Sequence, residues 1–327
     1  MAQLAAFREI PQIDLAAFRA GDDRGKQAIG RQVREACIDV GFFYVRGHGV
    51  APEIRAAAFR EAAAFFALPD AVKSEIHVTG LSKFRGFTGM FEERHDSSTD
   101  YFEAHEVLDF GRDIPPDDPA YRAAESLYGP NVWPSGQPAL RPAIEAYYDA
   151  MLELSDALLR AFAVALELDE PYFLDKFDRA AAALRCLHYP PTDAPADRFG
   201  VGAHTDYECF TILAQDDLGG LEVRNAAGDW IPAPPIADTF VINIGDLMAR
   251  WTNDLFASTL HRAANRSDRD RYSMPFFVGP NGDAEVAAIV SCVGPDNPAR
   301  YPPVVAGRHI QERLLELQQK LQRDVPH

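Results

Sequence analysis

The stretch from about Ala183 to Val290 restricts the fold more than any other part of the chain. Its apolar runs are short, and turn-forming clusters interrupt them at Asp217-Leu-Gly219-Gly220, Ala227-Gly228-Asp229 and Pro280-Asn281-Gly282. Short runs closed by Gly, Asn and Asp predict antiparallel strands joined by tight connections, as in a sandwich or barrel. Helical signals flank this region. From about Leu140 to Leu166, residues Tyr148, Met151, Leu152, Leu159, Phe162 and Leu166 recur at the spacing of one amphipathic helix face. Further on, Ile310, Leu314, Leu317 and Leu321 share a face of a closing helix. The fold class is therefore mainly β, a sandwich core with helical flanks.

The N-terminal third mixes both periods. Ile10-Pro-Gln-Ile-Asp-Leu15 reads as a short strand, and Asp22-Asp23 can cap a helix carrying Ile29, Val33, Cys37 and Val40. Gly41 stops that helix before the strand Phe42-Phe43-Tyr44-Val45, and a second helix is expected from about Pro52 to Phe66. Residues 80 to 135 read as long loops with brief strands at Arg85-Gly-Phe-Thr88 and Glu106-Val-Leu-Asp-Phe110.

A chain of 327 residues can bury a large core. Its net charge of −17, from 32 basic and 49 acidic residues, repels polyanions, so nucleic acid and anionic membranes are not expected partners. Net charge leaves room for a local basic pocket that takes a small acid. The four cysteines, Cys37, Cys186, Cys209 and Cys292, are scattered without a CxxC pair, which predicts reduced thiols. Neither a signal-peptide pattern nor an apolar stretch of about 18 to 20 residues is visible, so a soluble cytoplasmic protein is expected.

Of nine histidines, only His204 is followed at i+2 by an acid, Asp206. On an extended segment these two side chains leave the same face and can converge on one ion. The best third ligand is His261, in Ser258-Thr-Leu-His261-Arg-Ala263. Two imidazoles and one carboxylate on a triangular face leave three open positions, the ligand set of a non-haem Fe(II) that binds O₂ and a cosubstrate together. Zinc would favour a more closed tetrahedral site. Ten residues beyond His261, a strand Arg271-Tyr-Ser273-Met-Pro-Phe-Phe277 places Arg271, Ser273, Pro275 and Phe277 on one face. A guanidinium beside a hydroxyl suits a carboxylate, here one end of a small dicarboxylate. Tyr189, on the strand before the His204 loop, can reach the same pocket, while His188 faces the other way and reads as structural. Asn243 and Asp246 end a strand at a tight turn, and either can orient a metal ligand.

Taken in order along the chain, these motifs resemble the isopenicillin N synthase-like branch of the Fe(II)/2-oxoglutarate-dependent dioxygenases. The N-terminal part of the likeness is Ile10-Pro-Gln-Ile-Asp-Leu15, Gly41-Phe-Phe-Tyr-Val45, Gly47-His-Gly49 and Gly129-Pro-Asn-Val-Trp-Pro134. The rest is His204-Thr-Asp206, Asn243-Ile-Gly-Asp246, His261 and Arg271-Tyr-Ser273. The resemblance implies a double-stranded β-helix (jelly roll) and one oxygenase unit over residues 1–327. Within it lie an N-terminal helix and strand region at 1–135, a jelly-roll core at 180–290 and a C-terminal helix at 306–323. It also implies Fe(II) on His204, Asp206 and His261, with O₂ and 2-oxoglutarate as cosubstrates. Arg271 and Ser273 would take the distal carboxylate of 2-oxoglutarate, helped by Tyr189. The implied reaction oxidises a small molecule, most often by hydroxylation, with desaturation or cyclisation as variants, and releases succinate and CO₂.

One alternative is an Fe(II) oxidase of the same fold that does not use 2-oxoglutarate, its clamp holding the substrate instead. Another is a non-catalytic jelly-roll binding module. Phe210, Leu221, Phe277 and the loops around Phe87 and Tyr101 are candidate pocket residues for a partly apolar substrate. The charged segment Glu92-Glu93-Arg94-His95 has no assignment, and oligomeric state is open.

Overall fold

Two sheets packed face to face, antiparallel except for one parallel pair at an edge of the larger, form the core of the computed structural model, which describes residues 6–80, 84–93, 103–191 and 200–323. The strands are β1 (Gln12–Asp14), β2 (Phe42–Arg46), β3 (Gly86–Thr88), β4 (Glu106–Gly111), β5 (Ala181–Tyr189), β6 (Val201–His204) and β7 (Phe210–Gln215). They continue with β8 (Leu221–Arg224), β9 (Trp230–Pro232), β10 (Phe240–Ile244), β11 (His261–Ala263), β12 (Arg271–Gly279), β13 (Glu285–Val286) and β14 (Val304–Val305). The larger sheet runs β1-β2-β10-β7-β12-β5-β4-β3, the smaller β6-β11-β8-β9, and β13 pairs with β14. The expected jelly-roll architecture is present. The N-terminal strands are part of it: β1 and β2 form one edge of the larger sheet and β4 and β3 the other.

The helices are α1 (Ala16–Arg19), α2 (Asp23–Asp39), α3 (Pro52–Phe66), α4 (Asp70–Lys73), α5 (Pro119–Ala123), α6 (Leu140–Ala165), α7 (Asp246–Trp251) and α8 (Ala306–Arg323). Asp22 caps α2 as its sequence suggests, its carboxylate accepting from the amides of Arg24 and Gly25. The central helix α6 packs along the outer face of the larger sheet with α2 and α3 beside it. Phe162 of α6 is fully buried and sits edge-on between the rings of Phe43 and Phe210. This helical layer explains why the strands of the larger sheet are apolar on both faces. One expectation needs correcting: Asp246 does not close a simple turn but opens α7, with Gly245 at its N-cap. All four cysteines are buried and unpaired. The side chains of Leu317 and Leu321, the segment 94–102 and Tyr101 within it lie outside the described residues.

Candidate metal centre

Strand pairing creates the centre. His261 stands directly opposite His204 across the β11–β6 ladder, and their ring centroids are 4.3 Å apart. Asp206 follows β6 by two residues and turns back between them. Its Oδ1 lies 3.5 Å from His204 Nε2 and 3.6 Å from His261 Nε2. Each imidazole is oriented by its own backbone, Nδ1 donating to Gly202 O at 2.8 Å in His204 and to Thr259 O at 3.0 Å in His261. A proton on Nδ1 leaves the Nε2 lone pair directed at the shared centre. Asp206 is held just as firmly. Its Oδ2 accepts from Thr211 Oγ1 and from Asn243 Nδ2, the latter at 2.7 Å, so Oδ1 is the oxygen left for an ion.

Burial opposes the Asp206 charge, but the facing imidazoles of His261 and His204 hold its carboxyl well below the ordinary range. Among the described residues, these three form the one cluster of metal-ligand type, with ligand atoms within 4.8 Å of one another. The loop that carries Asp206 is fixed from below. Asp246 N donates to Asp206 O at 2.8 Å, and the Asp246 carboxylate accepts from Thr205 and Ser258. Gly245 is required here because a Cβ would come within 2.2 Å of Glu208 O.

Two cavities meet at this centre, sharing Arg185, His204, Asp206 and Phe277 in their walls. The smaller, about 80 Å³, is lined by Tyr189, Arg271 and Ser273. Arg271 is 1% exposed, its Nε bonded to Gly219 O and its guanidinium carbon 4.5 Å over the Tyr189 ring. Its Nη1 is buried without a hydrogen-bond partner. A buried cationic N–H left unpaired is costly, so this donor is set for an anion. The Gly219-Gly220 turn makes the clamp: Gly220 has φ +96° and lies so close to Ala264 O that a Cβ would sit 2.0 Å from it. The larger cavity, about 180 Å³, opens on the other side of the centre, and burial beside Asp206 pushes Glu208 in its wall up to about 7.

Comparison with known proteins gives the same chemistry. Residues 180–280 match the 2OG-Fe(II) oxygenase superfamily, and residues 10–136 match the N-terminal region of the non-haem dioxygenases of morphine synthesis. A 2-oxoglutarate-Fe(II) type oxidoreductase of Emericella nidulans is 35% identical over 301 residues, covering 90% of this chain and 86% of its own. The chain belongs to the 2OG-Fe(II) oxygenase superfamily. A homoarginine-6-hydroxylase of rice is 34% identical over 94% of this oxygenase and 97% of its own length. Two solved structures superpose on it with a TM-score of 0.83 and cover 95% of the chain. One is a full-length Neurospora crassa protein in complex with alpha-KG and thymine, 30% identical and covered over 99%. The other is a putative 2OG-Fe(II) oxygenase family protein from Caulobacter crescentus, 32% identical and covered over 100%. The oxygenase thus uses Fe(II) and 2-oxoglutarate and acts on small molecules, which excludes the non-catalytic binding module and the 2-oxoglutarate-independent oxidase.

The structure brings together His204, Asp206, His261, Arg271, Ser273 and Tyr189 as the sequence suggests. Phe277 lines both cavities and Leu221 the smaller one. Phe210 is a correction: it lines neither, because strand alternation turns it outward onto Phe162 while its neighbour Thr211 faces the centre. Phe87 also points away, against Phe65. His188 lies on the outer face as expected, bonded to Glu106 and Asp270. Asn243 proves to be a partner of Asp206. Sequence reasoning missed Thr211 and the ionic cluster of Arg185, Asp109 and Glu93 in the larger cavity. Asp109 faces Arg185 across the β4–β5 ladder, a pairing between residues far apart in the chain that no local pattern announces.

Proposed function

We propose that His204 Nε2, Asp206 Oδ1 and His261 Nε2 hold the iron, and that Arg271 and Ser273 take the distal carboxylate of 2-oxoglutarate. The Tyr189 ring packs beneath the guanidinium and fixes its plane. The observation that carries this reading is the pair of donors on Asp206 Oδ2, which leaves only Oδ1 pointing between the two imidazole Nε2 atoms. The unpaired Nη1 of Arg271 supports the second half. When bound, the iron and 2-oxoglutarate supply an oxidant from O₂, with succinate and CO₂ as coproducts. The protein's own part is to orient three ligands on one face, neutralise the cosubstrate's far end and keep water from the reacting centre. Hydroxylation of a small molecule in the larger cavity is the reaction this arrangement fits best.

The chain works as one oxygenase unit, since strands from its N-terminal region and its core share a sheet. We place it in the cytoplasm, where its four unpaired, buried cysteines would stay reduced. No described helix is long and apolar enough to cross a membrane. A net charge of −17 also argues against nucleic acid as substrate. The test is a pair of variants. Asp206→Ala should lose bound iron, whereas Arg271→Met should keep iron and lose 2-oxoglutarate affinity in anaerobic titrations. Full iron occupancy in Asp206→Ala would refute the ligand assignment.

A further inference from the structure

Arg271, Tyr189 and His105 form a row across β12, β5 and the start of β4. Arg271 is the register partner of Tyr189. On the other side of β5 the ladder pairs Glu106 with His188, so His105, one residue earlier, comes beside Tyr189. The Arg271 guanidinium carbon lies 4.5 Å over the Tyr189 ring. The His105 ring centroid lies 5.8 Å from that of Tyr189, with the planes inclined by 52°. Cross-strand neighbours of this kind orient one another's side chains. His105 and Tyr189 are both buried.

His105 is held on two sides. Its Nδ1 donates to Gly200 O at 2.5 Å and its Nε2 to Glu93 Oε2 at 3.0 Å. The ring cannot turn without losing one of these bonds. Gly200 in turn closes on the tyrosine, since a Cβ there would come within 2.3 Å of Tyr189 Cδ1. Tyr189 therefore rests on His105 and on a piece of backbone that His105 fixes. The Glu93 carboxylate also accepts from Arg185 Nη1 and Nη2 at 2.9 and 3.0 Å, and Glu93 and Arg185 line the larger cavity. The chain of contacts begins in that wall and ends at Arg271. There the aim of the guanidinium matters, because its buried Nη1 lacks a hydrogen-bond partner and a bidentate grip on a carboxylate needs the right plane.

We propose that His105 is a positioning residue of the cosubstrate clamp. Braced by Glu93 and Gly200, it sets the tilt of Tyr189 and, through that ring, the aim of Arg271 at the distal carboxylate of 2-oxoglutarate. The proposal rests on Arg271 and Ser273 receiving that carboxylate.

The test compares two 2-oxo acids on full-length, Fe(II)-loaded protein under anaerobic conditions. Both present the same keto-acid end to the metal, but 2-oxoglutarate carries the distal carboxylate and pyruvate does not. Calorimetric titration and the visible charge-transfer absorption of each complex give the two dissociation constants. His105→Phe keeps a ring against Tyr189 and deletes both hydrogen bonds. It should weaken 2-oxoglutarate by about 3- to 30-fold, the range for a residue that acts through its neighbours. The pyruvate constant, the iron affinity and the absorption at saturation should stay unchanged. Glu93→Gln, at a partly exposed position, offers one acceptor where the carboxylate serves two donors. It should shift the ratio of the two constants in the same direction by less. A purely structural His105 would lower the melting temperature and leave that ratio as in wild type. Equal losses for the two acids, or an unchanged ratio in His105→Phe, overturn the proposal. Should that variant fail to fold, an unchanged ratio in Glu93→Gln overturns it. Wild-type protein that binds both acids equally would instead overturn the assignment of Arg271 and Ser273, which keeps the two failures apart.

Discussion

Removing one hydroxyl group from the β7 strand should loosen the iron. Thr211 Oγ1 donates to Asp206 Oδ2 in a site where both residues are buried, at 2% and 5% exposure. Thr211→Val keeps the shape and deletes only that bond. A hydrogen bond to a buried charge contributes about 1.5–3 kcal/mol, and a partner of a metal ligand typically contributes about 10- to 100-fold in metal affinity. At about 1.4 kcal/mol per tenfold these two magnitudes agree, so iron affinity should fall by about one to two orders of magnitude. Asn243 still holds the same oxygen at 2.7 Å, which argues for the lower end. Anaerobic Fe(II) titration against a competing chelator measures the loss. Thr259→Val is the control: its hydroxyl is equally buried but donates to Val40 O, while its backbone carbonyl keeps His261 in place. The control should lose stability with unchanged iron affinity. If Thr211→Val also loses only stability, the bond merely packs the strand and the account of Asp206 as a doubly anchored ligand fails.

Gly220→Ala forces a Cβ toward Ala264 O at φ +96°, so urea unfolding should show a loss of about 1–3 kcal/mol or more. Because the adjacent Gly219 carbonyl holds Arg271, 2-oxoglutarate affinity should fall with it. Phe162→Ala empties the space between Phe43, Phe210 and Phe256 and should cost about 3–5 kcal/mol in chemical unfolding, with iron content of the folded protein unchanged. The Lys26–Glu170 pair, at 2.7 Å, gives a pH-dependent expectation. The hydrogen bond from Lys26 lowers the Glu170 pKa below its ordinary 4.5, so the stabilisation exists above that value and disappears as the pH falls through the lowered one. The pair is partly exposed, so thermal melts of wild type and Glu170→Gln should differ by less than about 1 kcal/mol at neutral pH. They should converge in acid.

Much of the centre was legible because its chemistry is encoded over short spans. His204 and Asp206 converge through the two-residue period of an extended chain, and Arg271 and Ser273 share a face for the same reason. His261 was legible only by its order relative to the clamp, since its register opposite His204 is a property of the folded sheet. Phe210 was placed on the wrong face because the larger sheet is covered on both sides, which removes the polar-apolar alternation that reports direction. Asp109 and Glu93 meet Arg185 across 76 and 92 residues, beyond the reach of any periodicity. The Gly-Asp pair that opens α7 did carry a helix-start signal, and the simpler turn reading overlooked it.

The interleaving of the larger sheet also bears on how the chain is made. The strand β2 lies between the short β1 and β10, and β4 lies between β3 and β5, so the first 111 residues have their main ladders with residues 181–189 and 240–244. During synthesis the early strands would wait, edges bare, until most of the polypeptide has emerged. Contacts so distant in sequence close slowly and leave apolar surface open to aggregation meanwhile. A nascent chain of this kind needs a chaperone's protection more than a bundle of sequence-local helices does. A fragment ending near residue 136 should stay unfolded, because the strands that would complete it have not yet been translated.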